Sequence, residues 1–259
     1  MITAPVDGKD AVLSFDFTGK EQWRTTIAPG REGKHRNGSS SYPSSVTDGK
    51  RVFTYYESGN VASLDIKGKL LLQINLQDRF GKDTLYWDIG SSPVLTIKYV
   101  TIAVMHQGEP HLVAFDQATG EIERKVARNY ETPTEGDHSY ATPILIKHGD
   151  KEAIVVWGAE PVAAHDAADG KTIWSCAGFN PQKTANWIAV ASHLIVGDLV
   201  SILRHRHNPL KQKASARSIF ALIHRVTRGM GRTQPGRWSK LTRLLAMREK
   251  LRSMAVRRL

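Results

Sequence analysis

The stretch Ser139–Cys176, SYATPILIKHGDKEAIVVWGAEPVAAHDAADGKTIWSC, reads as four short strands with a turn between each. Its last turn, AHDAADGKTIW (Ala164–Trp174), recurs earlier as SFDFTGKEQW (Ser14–Trp23), SLDIKGKLLL (Ser63–Leu72) and AFDQATGEIER (Ala114–Arg124). The turn aspartates Asp16, Asp65, Asp116 and Asp166 are separated by 49, 51 and 50 residues. A fixed period of this size is the signature of a repeat architecture. It decides the fold: an all-β chain built of four-stranded antiparallel units.

Each residue of the recurring turn has a local physical reason. An aspartate carboxylate accepts backbone N–H groups just beyond it and closes an Asx turn. Gly19, Gly68, Gly120 and Gly170 supply the positive φ that a short hairpin loop requires. Four residues later Trp23, Leu72, Arg124 or Trp174 stands on the outer strand, where a large ring can cover the junction with the neighbouring unit. On this reading Leu72 covers it less well than tryptophan, and Arg124 least. A motif that repeats four times is structural rather than catalytic.

In chain order, residues 11–27 hold the back half of one unit, and three complete units follow. A fifth opens with ASHLIVGDLVSIL from Ala191 and loses the pattern. The innermost strands open on Ser92-Pro93, Thr142-Pro143 and Ser192-His193, in steps of 50, with Pro43 one residue out of phase. Proline is tolerated at a strand's first residue, where its missing N–H costs no ladder bond.

Asp, two or three residues, Gly, three residues, then Trp resembles the repeat of the pyrroloquinoline-quinone (PQQ)-binding-like β-propellers. The resemblance covers about residues 11–203. It implies a partial propeller, about three full blades plus two partial ones, as a fragment of a longer protein. The family contains quinone-dependent dehydrogenases and also a non-catalytic outer-membrane-assembly lipoprotein. The favoured function is therefore a non-catalytic binding or scaffold module without cofactor, taking a protein or small-molecule ligand at the propeller mouth. The alternative is a PQQ- and calcium-dependent oxidoreductase, in which Asp88, Asp137, Asn186 and Trp187 would serve cofactor and catalysis. Relatives of the methanol type use two adjacent cysteines, whereas Cys176 stands alone.

Ligand-binding candidates lie in the loops before the innermost strands: His35, Arg36 and Asn37; Trp87 and Asp88; Asp137 and His138; Asn186 and Trp187. The repeat makes Trp87, Asp137 and Trp187 equivalent. Polar groups converging on one concave mouth are the natural place for a ligand. A metal site from His35, Asp88, Asp137 and His138 has no short ligand spacing behind it, and none is expected. His106 and His111 flank a turn and read as solvated. Cys176 reads as a small hydrophobe at the end of an outer strand.

Charge divides the chain at residue 203. From Arg204 to Leu259 stand 16 Lys and Arg against one acid, Glu249; of the chain's 36 basic and 25 acidic residues this leaves 20 and 24 in 1–203. The balance is about −4 for the repeats and +15 for the tail. A basic helix around Trp238, Leu241, Leu244, Leu245, Leu251 and Met254 would bind nucleic acid or an anionic surface by charge alone. The break in pattern between Ser201 and Arg204 instead predicts a shifted reading frame, which the other frames of the DNA would reveal. No membrane span is expected, since the longest apolar stretch, Trp187–Leu203, holds His193 and Asp198. The first residues lack a signal-peptide pattern, although intact relatives would be periplasmic or extracellular.

Overall fold

Alternation produces strands here, and the turns decide how they pair. The computed structural model describes residues 1–158, 160–180, 182–196, 199–204 and 219–225. Three sheets have four strands each, all paired antiparallel in chain order. The first of these holds β4 (Val46–Thr47), β5 (Arg51–Tyr55), β6 (Asn60–Asp65) and β7 (Leu70–Asn75). The second holds β8 (Val94–Leu95), β9 (Tyr99–Val104), β10 (His111–Asp116) and β11 (Ile122–Ala127). The stretch Ser139–Cys176 forms the third, as β12 (Ile144–His148), β13 (Lys151–Trp157), β14 (Val162–Asp166) and β15 (Thr172–Cys176). A short helix, α1 (Leu76–Phe80), follows β7; the Asn75 side chain caps it by accepting the Gln77 and Asp78 N–H groups.

Two expectations need correction at the start of the chain and at the strand entries. The first unit is more than a back half. β1 (Ile2–Val6) pairs with β2 (Lys9–Phe15), which pairs with β3 (Glu21–Pro29). Pro93 and Pro143 precede Val94 and Ile144, so the prolines lie one residue before their strands rather than within them. At the other end β16 (Leu194–Val196) and β17 (Leu199–Arg204) are joined by a third strand, β18 (Ile219–Arg225). The proposed tail helix and its apolar residues from Trp238 onward fall outside the described residues.

Burial explains the sequence texture of each strand. The middle strands β6, β10 and β14 are buried on both faces, so HLVAFD and VAAHD read as nearly continuous small and apolar runs. The outer strand β11 alternates half-buried and exposed, hence IERKVA. Apolar cores form between consecutive sheets. Phe53 and Tyr55 meet Ile102, Val113 and Phe115 in one. Met105 and Leu112 meet Ile154 and Val156 in the next, and Val155 and Trp157 meet Val200 and Ile202 in a third. Each such buried side chain contributes roughly 1.5–3 kcal/mol. Cys176 packs half-buried against the third core, as read from its position.

The recurring turn is built alike four times. Asp16, Asp65, Asp116 and Asp166 each accept the N–H two residues on at their Oδ1, at 2.9, 2.8, 2.7 and 2.8 Å. The glycines take φ of 85°, 88°, 69° and 76°. A register shift sits just before each aspartate. Three of these large residues, Trp23, Leu72 and Arg124, reach across to the glycine of the next sheet. The Trp23 indole lies on Gly68 and donates to the Ile66 carbonyl at 3.1 Å. Leu72 covers Gly120. Arg124 shares the cover of Gly170 with Val126, which lies nearer. The Arg124 stem passes over Gly170 while its guanidinium donates to the Ala167 and Ala168 carbonyls and lies 4.3 Å over the Tyr99 ring.

A second interblade link runs along the strand entries. The Ser44 N–H donates to Ser92 Oγ at 2.9 Å, Ser92 N–H to Thr142 Oγ1 at 3.0 Å, and Thr142 N–H to Ser192 Oγ at 3.3 Å. The recurring Ser/Thr is thus a strap from one sheet to the next.

Candidate functional site

The candidates lie on four loops that precede successive sheets. His35, Arg36 and Asn37 are exposed. The His35 ring meets the Trp87 ring edge-on at 5.4 Å, and Tyr86 meets Trp87 at 4.8 Å. Tyr86 and Trp87 are 64% and 45% exposed, so an aromatic patch faces solvent at this loop. The Tyr42 hydroxyl, on the same loop as His35, donates to the Asn37 carbonyl. The backbone N–H of Trp87 donates to the Tyr140 hydroxyl at 3.1 Å, which ties two of the loops together. Asn186 is exposed at φ 56°, with its N–H on the Thr134 carbonyl, and Trp187 is half-buried. A parallel bridge, Ser139 to Ala189, joins the last two loops.

Asp88, Asp137 and His138 are buried. Asp88 Oδ1 accepts the Lys34 N–H at 2.7 Å, and its other oxygen lies against the backbone of Gly33 and Gly38, where no side chain fits. Asp88 therefore organises the first loop. Asp137 Oδ1 and both ring nitrogens of His138 are buried without hydrogen-bond partners among the described residues. Burial lowers the His138 pKa, opposed by nearby Asp137, Glu135 and Asp83, which favours a neutral ring.

The strongest electrostatic feature at this end went unread in the sequence. The buried carboxylates Glu57 and Asp83 share the ammonium of Lys34, with Nζ 3.1 Å from Glu57 and 2.5 Å from Asp83. Arg31 stands 3.2 Å from Asp83 and 3.6 Å from Glu57. Glu57 also accepts the Ile89 N–H at 2.5 Å. Burial is the first cause raising the Glu57 pKa, with the Ile89 N–H and Lys34 working against it. The network pins the loop carrying His35 to the loop carrying Trp87. Its members sit in two non-repeating linkers and the β5–β6 turn and share no spacing, so only the mixed charge of those segments hinted at it.

His106 and His111 correct another expectation. They are 6% and 1% exposed. The His111 Nδ1 bonds to the Glu109 carbonyl at 2.7 Å, and the ring packs 5.0 Å from Phe80 of α1. His106 Nδ1 meets Thr84 Oγ1 at 3.3 Å. The linker with α1 covers the turn that would otherwise leave both in water.

A calcium-bound quinone requires several carboxylate oxygens free to meet one ion. Asp88 is engaged by backbone, while Glu57 and Asp83 are engaged by Lys34 and Arg31. Among the described residues no three His, Cys, Asp or Glu side chains form a metal-holding group. Asp137 with His138 falls short of such a donor set among the described residues. The small void between Asp83, Ser91, His106 and Ser139, about 10 Å³, has room for about one water at most.

Consecutive four-stranded meanders, packed face to face through their middle strands and clasped at their outer turns, are β-propeller blades. A family profile described as the outer membrane protein assembly factor BamB matches residues 2–176, and the chain belongs to that PQQ-like family. Solved structures with similar folds include BamB from Moraxella catarrhalis, at 16% identity over 76% of this chain and 49% of that one, TM-score 0.47. A europium-containing methanol dehydrogenase matches at 12% over 68% and 41%, TM-score 0.45. Saccharomyces cerevisiae Sqt1 matches at 12% over 86% and 52%, TM-score 0.47. The chain spans about half the length of these structures. No curated protein matches it significantly in sequence. Among the described residues no helix is long and apolar enough to cross a membrane.

Proposed function

We propose that this chain is a non-catalytic binding unit whose blade-entry loops dock a protein partner, in keeping with a family named for outer-membrane protein assembly. The observation that carries the reading is the pairing of an exposed aromatic patch with a neutralised acidic interior. Tyr86 and Trp87 face solvent, while Glu57 and Asp83 beneath them are matched by Lys34 and Arg31. Aromatic side chains on a rigid base suit protein recognition. Carboxylates already paired do not suit a metal-bound cofactor.

The experiment has two arms. The full chain is incubated with PQQ, calcium, a redox dye and a panel of alcohols and sugars, where no dye reduction is expected. Turnover that Asp137→Asn abolishes would establish the dehydrogenase reading instead. In cells, a photocrosslinking residue at position 87 should yield protein adducts, and one at Ile97, which is 87% exposed, should not. Equal adducts at both positions, or none at 87, would reject a docking surface there. Nucleic-acid binding rests on 204–259 and would vanish when that segment is deleted.

A further inference from the structure

Of the chain's seven asparagines, Asn37 alone is followed by glycine. It stands exposed on the loop that carries His35. This loop has its neighbours in place on both sides. Thr3 of β1 donates to the Ser41 and Pro43 carbonyls at 3.0 and 2.9 Å, and Asp88 packs against the backbone of Gly33 and Gly38. The exposure of Asn37 is therefore a property of the loop itself. Its backbone is held in a turn. The Asn37 N–H donates to His35 Nδ1 at 3.2 Å, its carbonyl accepts the Tyr42 hydroxyl at 3.2 Å, and the Gly38 N–H donates to the His35 carbonyl at 2.6 Å. The Asn37 side-chain amide makes no hydrogen bond among the described residues. Elsewhere the side chains of Asn60, Asn75 and Asn180 are bonded, Asn129 reaches the Gly108 carbonyl, and the exposed Asn186 is followed by Trp187.

We propose that Asn37 is a site of spontaneous covalent modification, converted by its own backbone to aspartate and isoaspartate. The Gly38 nitrogen attacks Asn37 Cγ, forming a new N–C bond. The Cγ–Nδ2 bond breaks, and the amide nitrogen leaves as ammonia with the proton that Gly38 gives up. Water then opens the cyclic imide at one of its two carbonyls. One opening gives aspartate, the other a main chain routed through the side-chain carbon. Glycine allows the attack because no side chain shields its nitrogen and its backbone turns freely. The turn opposes it. Attack breaks the bond from Gly38 to His35 and swings the Asn37 carbonyl away from Tyr42, and two such bonds slow the folded chain roughly 5- to 150-fold relative to the unfolded one. At Asn186 the indole of the following residue crowds the nucleophilic nitrogen. The product places a carboxylate beside His35, whose ring meets Trp87 edge-on, and the rerouted backbone cannot keep the turn. The modification stands whether or not this loop docks a partner.

The test holds the full chain, folded or unfolded in urea, in warm, mildly alkaline buffer and follows each asparagine by mass spectrometry of its peptides, with fragmentation that separates aspartate from isoaspartate. Residue 37 of the folded chain is expected to convert to both products, and Asn186 at least about tenfold more slowly. Asn37→Gln lengthens the side chain by one methylene, so the favoured ring cannot form; conversion at this position should cease while the circular dichroism stays that of wild type. Conversion of folded Asn37 more than about 150-fold slower than in the unfolded chain, or Asn186 converting as fast as Asn37, overturns the proposal.

Discussion

Gly19 and Gly68 form a matched pair for measuring the interblade clasp. Their backbones are nearly the same, at φ 85° and 88°, and both close an Asx turn. Replacing either by alanine costs roughly 1–2 kcal/mol from left-handed backbone alone. The surroundings differ. A Cβ at Gly19 would meet open space, whereas at Gly68 it would stand 2.6 Å from Cδ2 and Cε3 of Trp23. Carbon atoms settle at about 3.5–4.0 Å, so the indole must retreat by about 1 Å. That retreat breaks its bond to the Ile66 carbonyl. Overpacking of this kind adds about 1–3 kcal/mol. Gly19→Ala should therefore lose about 1–2 kcal/mol and Gly68→Ala about 2–5 kcal/mol. In a Trp23→Ala background the ring is gone, and Gly68→Ala should fall back to the Gly19→Ala value. Urea unfolding followed by circular dichroism on the four variants gives the coupling directly. Equal losses for the two glycines, or a Gly68→Ala loss that Trp23→Ala leaves unchanged, would refute the clasp as an energetic contact.

Three further outcomes follow from the same structure. Burial first, then local charge, pushes His111 and His165 down to about 4 from the ordinary 6.5. Between these values the unfolded chain binds protons that the folded chain refuses, so stability falls as pH drops from 6.5 to 4, by about 3 kcal/mol per histidine. His111→Gln should flatten the pH dependence of the urea midpoint, and an unchanged slope would show that His111 does not drive it. Arg128 is 1% exposed; its guanidinium lies 5.6 Å from the centre of the Tyr130 ring, Nη2 is 3.4 and 3.5 Å from the Gly158 and Pro161 carbonyls, and Nε and Nη1 have no hydrogen-bond partner among the described residues. Its N–H bonds to Pro110 as that of Leu76 bonds to Gly59 one blade earlier. Arg128→Met should be neutral or stabilise by up to about 2 kcal/mol, and a loss above that size in thermal melts would reveal a role for the charge. Ser92→Ala removes the acceptor of the Ser44 N–H and should cost about 1 kcal/mol, with Ser92→Thr restoring it; no loss on Ser92→Ala would show the strap to be idle.

What the sequence made legible is what every blade does. Asp, Gly and the large residue after them recur because each blade needs the same turn and the same clasp, and the period exposes them. The partner of the clasp was less legible, since Trp23 meets Gly68 across a whole blade and only the junction, not the glycine, could be inferred. The polar part of the Arg124 contact was less legible still, because a ranking by apolar cover does not weigh what a planar guanidinium can bond. Set on Tyr99, it donates to two turn carbonyls where the Trp23 indole donates to one. β1 escaped notice because ITAPV is short and carries Pro5, which weakens the strand pattern while leaving room for a hairpin through Asp7-Gly8. The features peculiar to one place, the Lys34–Glu57–Asp83 network and the burial of His106 and His111, arise where linkers that differ at every repeat meet hairpin turns. A period cannot report them. The entry loops are also where the blades stop resembling one another, and a surface that distinguishes one propeller's partner from another's has to be built from such unrepeated residues. Tyr86, whose repeat equivalents are Gly136 and Asn186, meets that requirement beside the exposed Trp87, whereas Trp23, Leu72 and Arg124 are committed to holding blades together.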